Sequence, residues 1–178
     1  MKKIIVICII LVLIILLLKT TVLERFYPKK YCEYVEKYSQ EYQVDPLLIY
    51  SIIKAESNFN QDAKSSSQAI GLMQIMQKTA EEMANGFFKE EIKEEDLYNP
   101  ELNIRIGVKY IRVLLNKYNN YKLAIIAYNA GMGNVDKWIE EGIIDNQVEN
   151  LENIPFKETK DYAKRIIQNY RIYQEIYK

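Results

Sequence analysis

Twice along the chain a helix-capping residue stands directly before a proline, at Asp45-Pro46 and at Asn99-Pro100. A short polar side chain at the N-cap followed by proline at the first helical position is a strong start signal. The cap oxygen accepts from an otherwise unpaired backbone N–H, and proline's missing N–H costs nothing there. No hairpin dipeptide separates alternating runs, and no internal repeat is present. With only 6 glycines and 4 prolines, the chain has too few turn formers for a strand-rich fold. These features predict an all-α protein.

The apolar spacing locates the helices. Tyr31 to Tyr42 reads as a polar helix with Tyr31, Tyr34, Val35 and Tyr38 on one face. The helix opened by Asp45-Pro46 sets Ile49, Ile52, Ile53 and Glu56 along one stripe. A polar loop from Asn58 to Gln68 leads into a helix over about Leu72 to Ala84, with Leu72, Ile75, Met76, Thr79 and Met83 inward. Asn99-Pro100 opens a helix carrying Ile104, Val108, Ile111 and Leu115, ending near Tyr118. Tyr121 to Ala130 forms a short helix closed by Gly131, Val135, Trp138 and Ile139 line another, and the last runs from about Thr159 to Tyr177.

Residues Ile4 to Leu18 are 15 consecutive apolar residues behind Lys2 and Lys3. As a helix they span roughly 22 Å against the ~30 Å bilayer core, and Thr20 to Leu23 extend the run while Lys19 snorkels. A cleaved signal peptide has the same layout, but no small-x-small cleavage site follows. An uncleaved anchor is the expectation. Lys2 and Lys3 keep the N-terminus cytoplasmic, so the rest of the chain faces the extracytoplasmic side.

Composition removes several chemistries. There is no histidine, which excludes Ser-His-Asp triads, Cys-His pairs and H-E-x-x-H zinc sites. The two cysteines are Cys8, in the leader, and Cys32, expected to be a passive thiol; neither a disulfide nor a metal is called for. Basic and acidic residues both total 24, and without Lys2, Lys3 and Lys19 the basic count falls to 21, so nucleic acid is not an expected partner.

Glu56 is the residue with chemistry in it. A carboxyl group on an apolar stripe loses hydration of its charged form, which raises its pKa, and a carboxylic acid protonated near neutrality can protonate a leaving-group oxygen. Spacing alone favours instead a glutamate at a frayed helix end turned to solvent.

The sequence around it chooses between the two. Glu56-Ser57-x-Phe59-Asn60, Ala63-x-Ser65 and Gly71-Leu72-Met73-Gln74-Ile75 resemble the catalytic core of the lytic transglycosylases of the soluble-lytic-transglycosylase (SLT) family. Asn99-Pro100 with Asn103-Ile104-x-x-Gly107, then Ala127-Tyr128-Asn129-Ala130-Gly131, then Ile154-Pro155, Glu158-Thr159 and Tyr162 continue the resemblance in order, over roughly Asp45 to Ile167.

The resemblance implies a lysozyme-like helical domain over residues 44–178. It would follow an anchor at 1–23 and a juxtamembrane segment with a leading helix at 24–43. It implies peptidoglycan glycan strands as substrate and non-hydrolytic cleavage of the β-1,4 bond between N-acetylmuramic acid and N-acetylglucosamine. Glu56 would act first as general acid, then as base toward the muramyl 6-hydroxyl, closing a 1,6-anhydro ring. One carboxyl group then suffices, unlike the pair most glycosidases use; Asp62, the nearest other acid, reads as loop surface. No cofactor is implied.

By the same resemblance Ser65 contacts the muramyl N-acetyl group, and Met73 and Gln74 are cleft wall. Tyr128 lies near the catalytic carboxyl, with core packing as its other reading. Asn129 contacts sugar or fixes the loop. Gly71 either permits close approach of backbone to sugar or only makes a turn. Glu158 either hydrogen-bonds in the cleft or is an acidic first-turn residue of the last helix, and Tyr162 is substrate wall or packed core. The pattern departs from the family at Gln61, Gln68 and Gln77, where proline, glycine and proline are common.

Two other readings use the same residues: a goose-type lysozyme-like hydrolase delivering water to the sugar, and a catalytically inactive glycan-binding module, which would not need a protonatable acid. A monomeric catalytic domain is expected. Its partners are the glycan strand, the membrane and, in growth, sporulation, conjugation or secretion, a cell-wall or secretion machinery.

Overall fold

The computed structural model describes residues 22–178. The expected anchor lies almost entirely outside the described residues, as does Cys8, and no described helix is long and apolar enough to cross a membrane. Residues 22–26 are helical. Seven α-helices follow among the described residues: α1 (Cys32–Tyr42), α2 (Pro46–Glu56), α3 (Gln77–Met83), α4 (Pro100–Tyr118), α5 (Tyr121–Ala130), α6 (Met132–Glu140) and α7 (Lys157–Tyr177). A π-helical turn at Ala84–Phe88 and 3-10 turns at Glu94–Tyr98 and Leu151–Asn153 join them. The only strand-like pairings among the described residues are two single bridges, Lys64 with Ile70 and Ile70 with Ile75.

Both capped prolines do what their chemistry predicts. Asp45 Oδ1 accepts from the Leu47 N–H at 2.8 Å, and Asn99 Oδ1 accepts from the Leu102 N–H at 3.0 Å. Each fixes the first turn of a long helix.

The core is built around α2. Every residue from Leu47 to Ile53 is buried, so this helix has no solvent face for most of its length and is enclosed rather than amphipathic. Its largest interface is with α7, which contributes Tyr162, Ala163, Ile166, Ile167 and Tyr173. α1 packs on α2 and α4, with Val35 and Tyr38 buried, so the leading helix shares the core of the residues that follow it. Because the buried stretch ends at Ile53, the next turn carries Glu56 out of the core to its edge.

One expected element is shorter than its periodicity suggests. The helix expected over Leu72–Ala84 begins only at Gln77; Gly71 to Gln74 form a tight turn and Ile75 pairs back on Ile70. The turn is held from outside by Asn103 of α4, fully buried. Its amide donates to the carbonyls of Ile70 (2.9 Å) and Leu97 (2.8 Å), and its Oδ1 accepts from the Met73 N–H (2.8 Å). Leu72 and Ile75 are buried as expected, but through a turn clipped to α4 rather than a helical face. Gln77 is the first residue of α3, the position where a proline would fit, and its amide instead donates to the Ile92 carbonyl at 2.8 Å.

Candidate active site

The last turn of α2 opens into a cleft of ≈ 660 Å³. Glu56 lies at its floor. One wall is the loop that carries Ser65–Ser67, Ala69 and Gln74–Met76, continued by Thr79 of α3 and Tyr110 of α4. The other is the end of α5, Tyr128 to Gly131, with Phe156, Glu158 and Thr159 at the start of α7.

The chain leaving Glu56 is strained where it makes this wall. Asn58 (φ 49), Phe59 (φ 66), Gln68 (φ 63) and Gln74 (φ 49) all adopt left-handed backbone although none is glycine. Such conformations each cost on the order of 1–3 kcal/mol and persist only when the surroundings enforce them. Ser57 Oγ donates to the Leu72 carbonyl at 2.8 Å, and Gln74 Nε2 donates to the carbonyls of Ala63 (3.2 Å) and Gly71 (3.0 Å). The loop is thus tied to the end of α2 and to itself. At Gln68, where the family commonly has glycine, the backbone is left-handed and glycine would be free of strain.

Glu56 is half-buried and faces no paired cation. Burial pushes its carboxyl up to about 7, against the opposing pull of the Tyr162 hydroxyl and the more distant Arg165. Tyr162, behind it on α7, donates its O–H to Glu56 Oε1 at 2.6 Å, a short charge-assisted bond. With Oε1 occupied as an acceptor, the acid proton belongs on Oε2. The hydroxyls of Tyr128 and Tyr162 are both held well above the usual tyrosine range, first by burial and then by the Glu56 carboxylate, so both remain protonated donors. Tyr128 spends its proton on the Met73 carbonyl at 2.8 Å, which fastens α5 to the Gly71–Gln74 turn.

The structure brings Ser65, Gln74, Tyr128, Asn129 and Glu158 to the cleft surface with Glu56. Three expected site residues are elsewhere. Met73 is fully buried, and its side chain fills the notch left by Gly107, where an added Cβ would come within 2.3 Å of the Met73 sulfur. The expectation that Met73 is cleft wall is corrected on that ground: it lies off the helical stripe because the segment is a turn. Gly71 (φ +79) packs against α4, where a Cβ would meet Asn103 Nδ2 at 2.4 Å, so it serves the turn rather than an approach to sugar. Tyr162 is buried behind Glu56 rather than on the substrate side.

Sequence reasoning missed Tyr110, Met76, Thr79 and Phe156 as cleft residues. Tyr110 rests on Tyr128 with ring centroids 5.4 Å apart, and Phe156 is edge-on to Trp138 at 5.0 Å while 48% exposed. An aromatic residue immediately after Ile154-Pro155 and before a helix start is the one signal that could have marked Phe156. Asp62 is exposed and does not line the cleft, whereas Glu158 does.

The family model described as "Transglycosylase SLT domain" matches residues 33–147. The soluble lytic murein transglycosylase of Salmonella typhimurium is 34% identical over 149 residues, covering 82% of this chain and 23% of that protein. The membrane-bound lytic murein transglycosylase C of Edwardsiella ictaluri is 38% identical over 117 residues, covering 60% of this chain and 32% of its own. Among solved structures, the 70-kDa soluble lytic transglycosylase of Escherichia coli superposes with a TM-score of 0.80 at 31% identity, over 86% of this chain and 25% of that one. The chain therefore spans about a quarter of the length of the soluble relatives it matches. The shared fold is all-helical and lysozyme-like. The chain belongs to the SLT transglycosylase domain family.

Proposed function

We propose that this protein is a peptidoglycan lytic transglycosylase that cleaves the β-1,4 bond between N-acetylmuramic acid and N-acetylglucosamine. The observation that carries the reading is the Glu56 carboxyl, raised to about 7 in the cleft with a hydroxyl donor at one of its two oxygens. Such a group is a competent acid near neutrality and a stabilised carboxylate once it has given its proton away.

Glu56 Oε2 protonates the bridging oxygen as the bond from the muramyl C1 breaks. The charge left on the carboxylate is held by the Tyr162 O–H. The carboxylate then takes the proton of the muramyl 6-hydroxyl as that oxygen closes on C1, which forms the 1,6-anhydro ring and restores the acid. No water is consumed.

The walls suit a neutral acetylated sugar: they offer hydroxyls, amides and aromatic rings, and no cationic side chain among the described residues. Ser65 Oγ accepts from the Ala69 N–H at 3.0 Å and keeps its own proton for an acetamido oxygen. Asn129 Oδ1 accepts from Thr159 Oγ1 at 2.7 Å, which turns its amide N–H₂ toward substrate. Gln74 has an unused carbonyl oxygen, and Glu158 is an acceptor for sugar hydroxyls.

Glu158 also gives the hydrolytic reading its one specific support, because a second carboxylate in the cleft could activate water. Digestion of purified peptidoglycan and mass analysis of the fragments decides between them. Anhydromuramyl ends, lighter by one water than reducing ends, are expected. Activity unchanged in Glu56→Gln would sink both.

We also infer that residues 1–23 anchor the chain in the membrane with the catalytic domain on the extracytoplasmic side. The support is the apolar run Ile4–Leu18 behind Lys2 and Lys3. Retention of the chain in the membrane fraction after alkaline carbonate washing is the expected result.

A further inference from the structure

The segment between the apolar leader and α1 is fastened to the two helices that make the catalytic pair. Tyr177 donates its O–H to the Tyr27 carbonyl at 2.8 Å, and Tyr173 donates to the Pro28 carbonyl at 3.0 Å. The Tyr27 ring stands edge-on to Tyr173 at 5.5 Å, and Tyr173 stacks with Tyr50 (5.8 Å) and Tyr177 (5.9 Å). The Lys54 ammonium lies 5.0 Å over the Tyr27 ring, and Lys29 sits over Tyr50 and Tyr177 at 5.5 and 5.3 Å. Tyr31 donates to Gln61 Oε1 at 3.3 Å, so one of the departures from the family pattern is a partner of this segment. Tyr50 and Tyr173 are completely buried, on α2 and α7, the helices that carry Glu56 and Tyr162.

Beside this fixed segment, Phe26 (62%) and Val22 (54%) are the two most exposed large apolar side chains among the described residues. They stand four residues apart and so share one helical face. Arg25 and Lys30 are exposed next to them, and so is one acid, Glu24. Apolar side chains flanked by cations suit the boundary between acyl chains and lipid phosphates. Continuity with the run Ile4–Leu18 points to a lipid surface rather than a protein partner.

We propose that residues 22–31 are a rigid stalk whose Val22 and Phe26 seat in the lipid interface, holding the cleft at a fixed stand-off from the membrane. This rests on the anchor reading above. The four steps along the chain from Leu23 to Tyr27 span at most ~14 Å even when extended, so no long linker lets the domain lift away. Along α7 the clamp at Tyr173 and the catalytic pair at Tyr162 are ~16 Å apart. The enzyme is thereby confined to glycan strands lying next to the bilayer.

The test uses the full chain in vesicles of phosphatidylcholine and phosphatidylglycerol. Cys8→Ser leaves Cys32, which is exposed, as the sole thiol for a fluorophore. Headgroup nitroxide lipids are expected to quench this label. The quenching should be lost when a flexible Gly/Ser segment of about ten residues is inserted after Phe26, and reduced in Phe26→Asp. Quenching that is absent in the native-length chain, or unchanged by the insertion, overturns the stalk. Release of the chain from vesicles by alkaline carbonate overturns the anchor reading and the stalk with it. Digestion of soluble glycan fragments by the insertion variant reports separately on the active site and is expected to be retained.

Discussion

Replacing Tyr162 by Phe removes one hydroxyl and nothing else, and that hydroxyl donates to Glu56 Oε1 at 2.6 Å. A hydrogen bond to a charged group contributes about 1.5–3 kcal/mol. The bond favours the carboxylate, so its loss raises the Glu56 pKa from about 7. At 1.36 kcal/mol per pH unit the rise is about one to two units. On the proposed mechanism cleavage needs Glu56 protonated in the free enzyme, so activity falls as pH rises through this value. The native alkaline limb is therefore expected near pH 7, and that of Tyr162→Phe about one to two units higher. The same energy is withdrawn from the carboxylate that forms as the bond breaks, so the plateau rate drops by about 10- to 100-fold. Initial rates of clearing of purified peptidoglycan between pH 5 and 10 measure both effects. An alkaline limb that stays in place or moves down refutes the assignment of Tyr162 as the donor that tunes the acid.

Three further outcomes follow from named contacts. The folded-state pKa of Glu56 lies above its ordinary 4.5, so the stability it confers is present below about pH 4.5 and lost as pH rises through about 7. Glu56→Gln should therefore match the native protein at pH 4 and exceed it above pH 7 by up to about 3 kcal/mol, less for screening by the open cleft, in urea unfolding. No gain at pH 8 contradicts the raised pKa. Asn103→Ala leaves the Leu97 carbonyl and the Met73 N–H buried without partners and leaves the Ile70 carbonyl only the Ile75 N–H; a loss of about 2–6 kcal/mol is expected by the same method, and one below about 1 kcal/mol would refute the clip. Gln68→Gly, relieving a φ of 63°, should raise stability by about 0.5–1 kcal/mol, and a fall in melting temperature would show that the left-handed conformation is not strained.

What the sequence reveals, and what it hides, divides along the range of the interactions. Asp45 and Asn99 cap their helices through bonds two or three residues away, so both starts are legible locally. The Leu72–Gln74 turn is not legible, because its apolar spacing also fits a helix. Asn103, 30 residues further along, decides the matter by bonding three backbone groups of the turn and its surroundings. Met73 follows from the same cause: once the segment turns, its side chain points to Gly107 rather than the cleft. Glu56 is legible as an odd carboxylate on an apolar helix, but its partner Tyr162 lies 106 residues away on α7. Ser65, Gln74, Tyr128, Asn129 and Glu158 line the cleft and lie in the motif blocks, while Tyr110 carries no local mark of its position.

Cleavage of purified peptidoglycan in heavy-oxygen water, with mass analysis of the new ends, tests the central claim most directly. If Glu56 serves as acid and then as base to the muramyl 6-hydroxyl, the new ends are anhydromuramyl residues that carry no heavy oxygen. Reducing muramyl ends labelled with heavy oxygen would contradict it, because water would then have done the work assigned to the sugar's own hydroxyl.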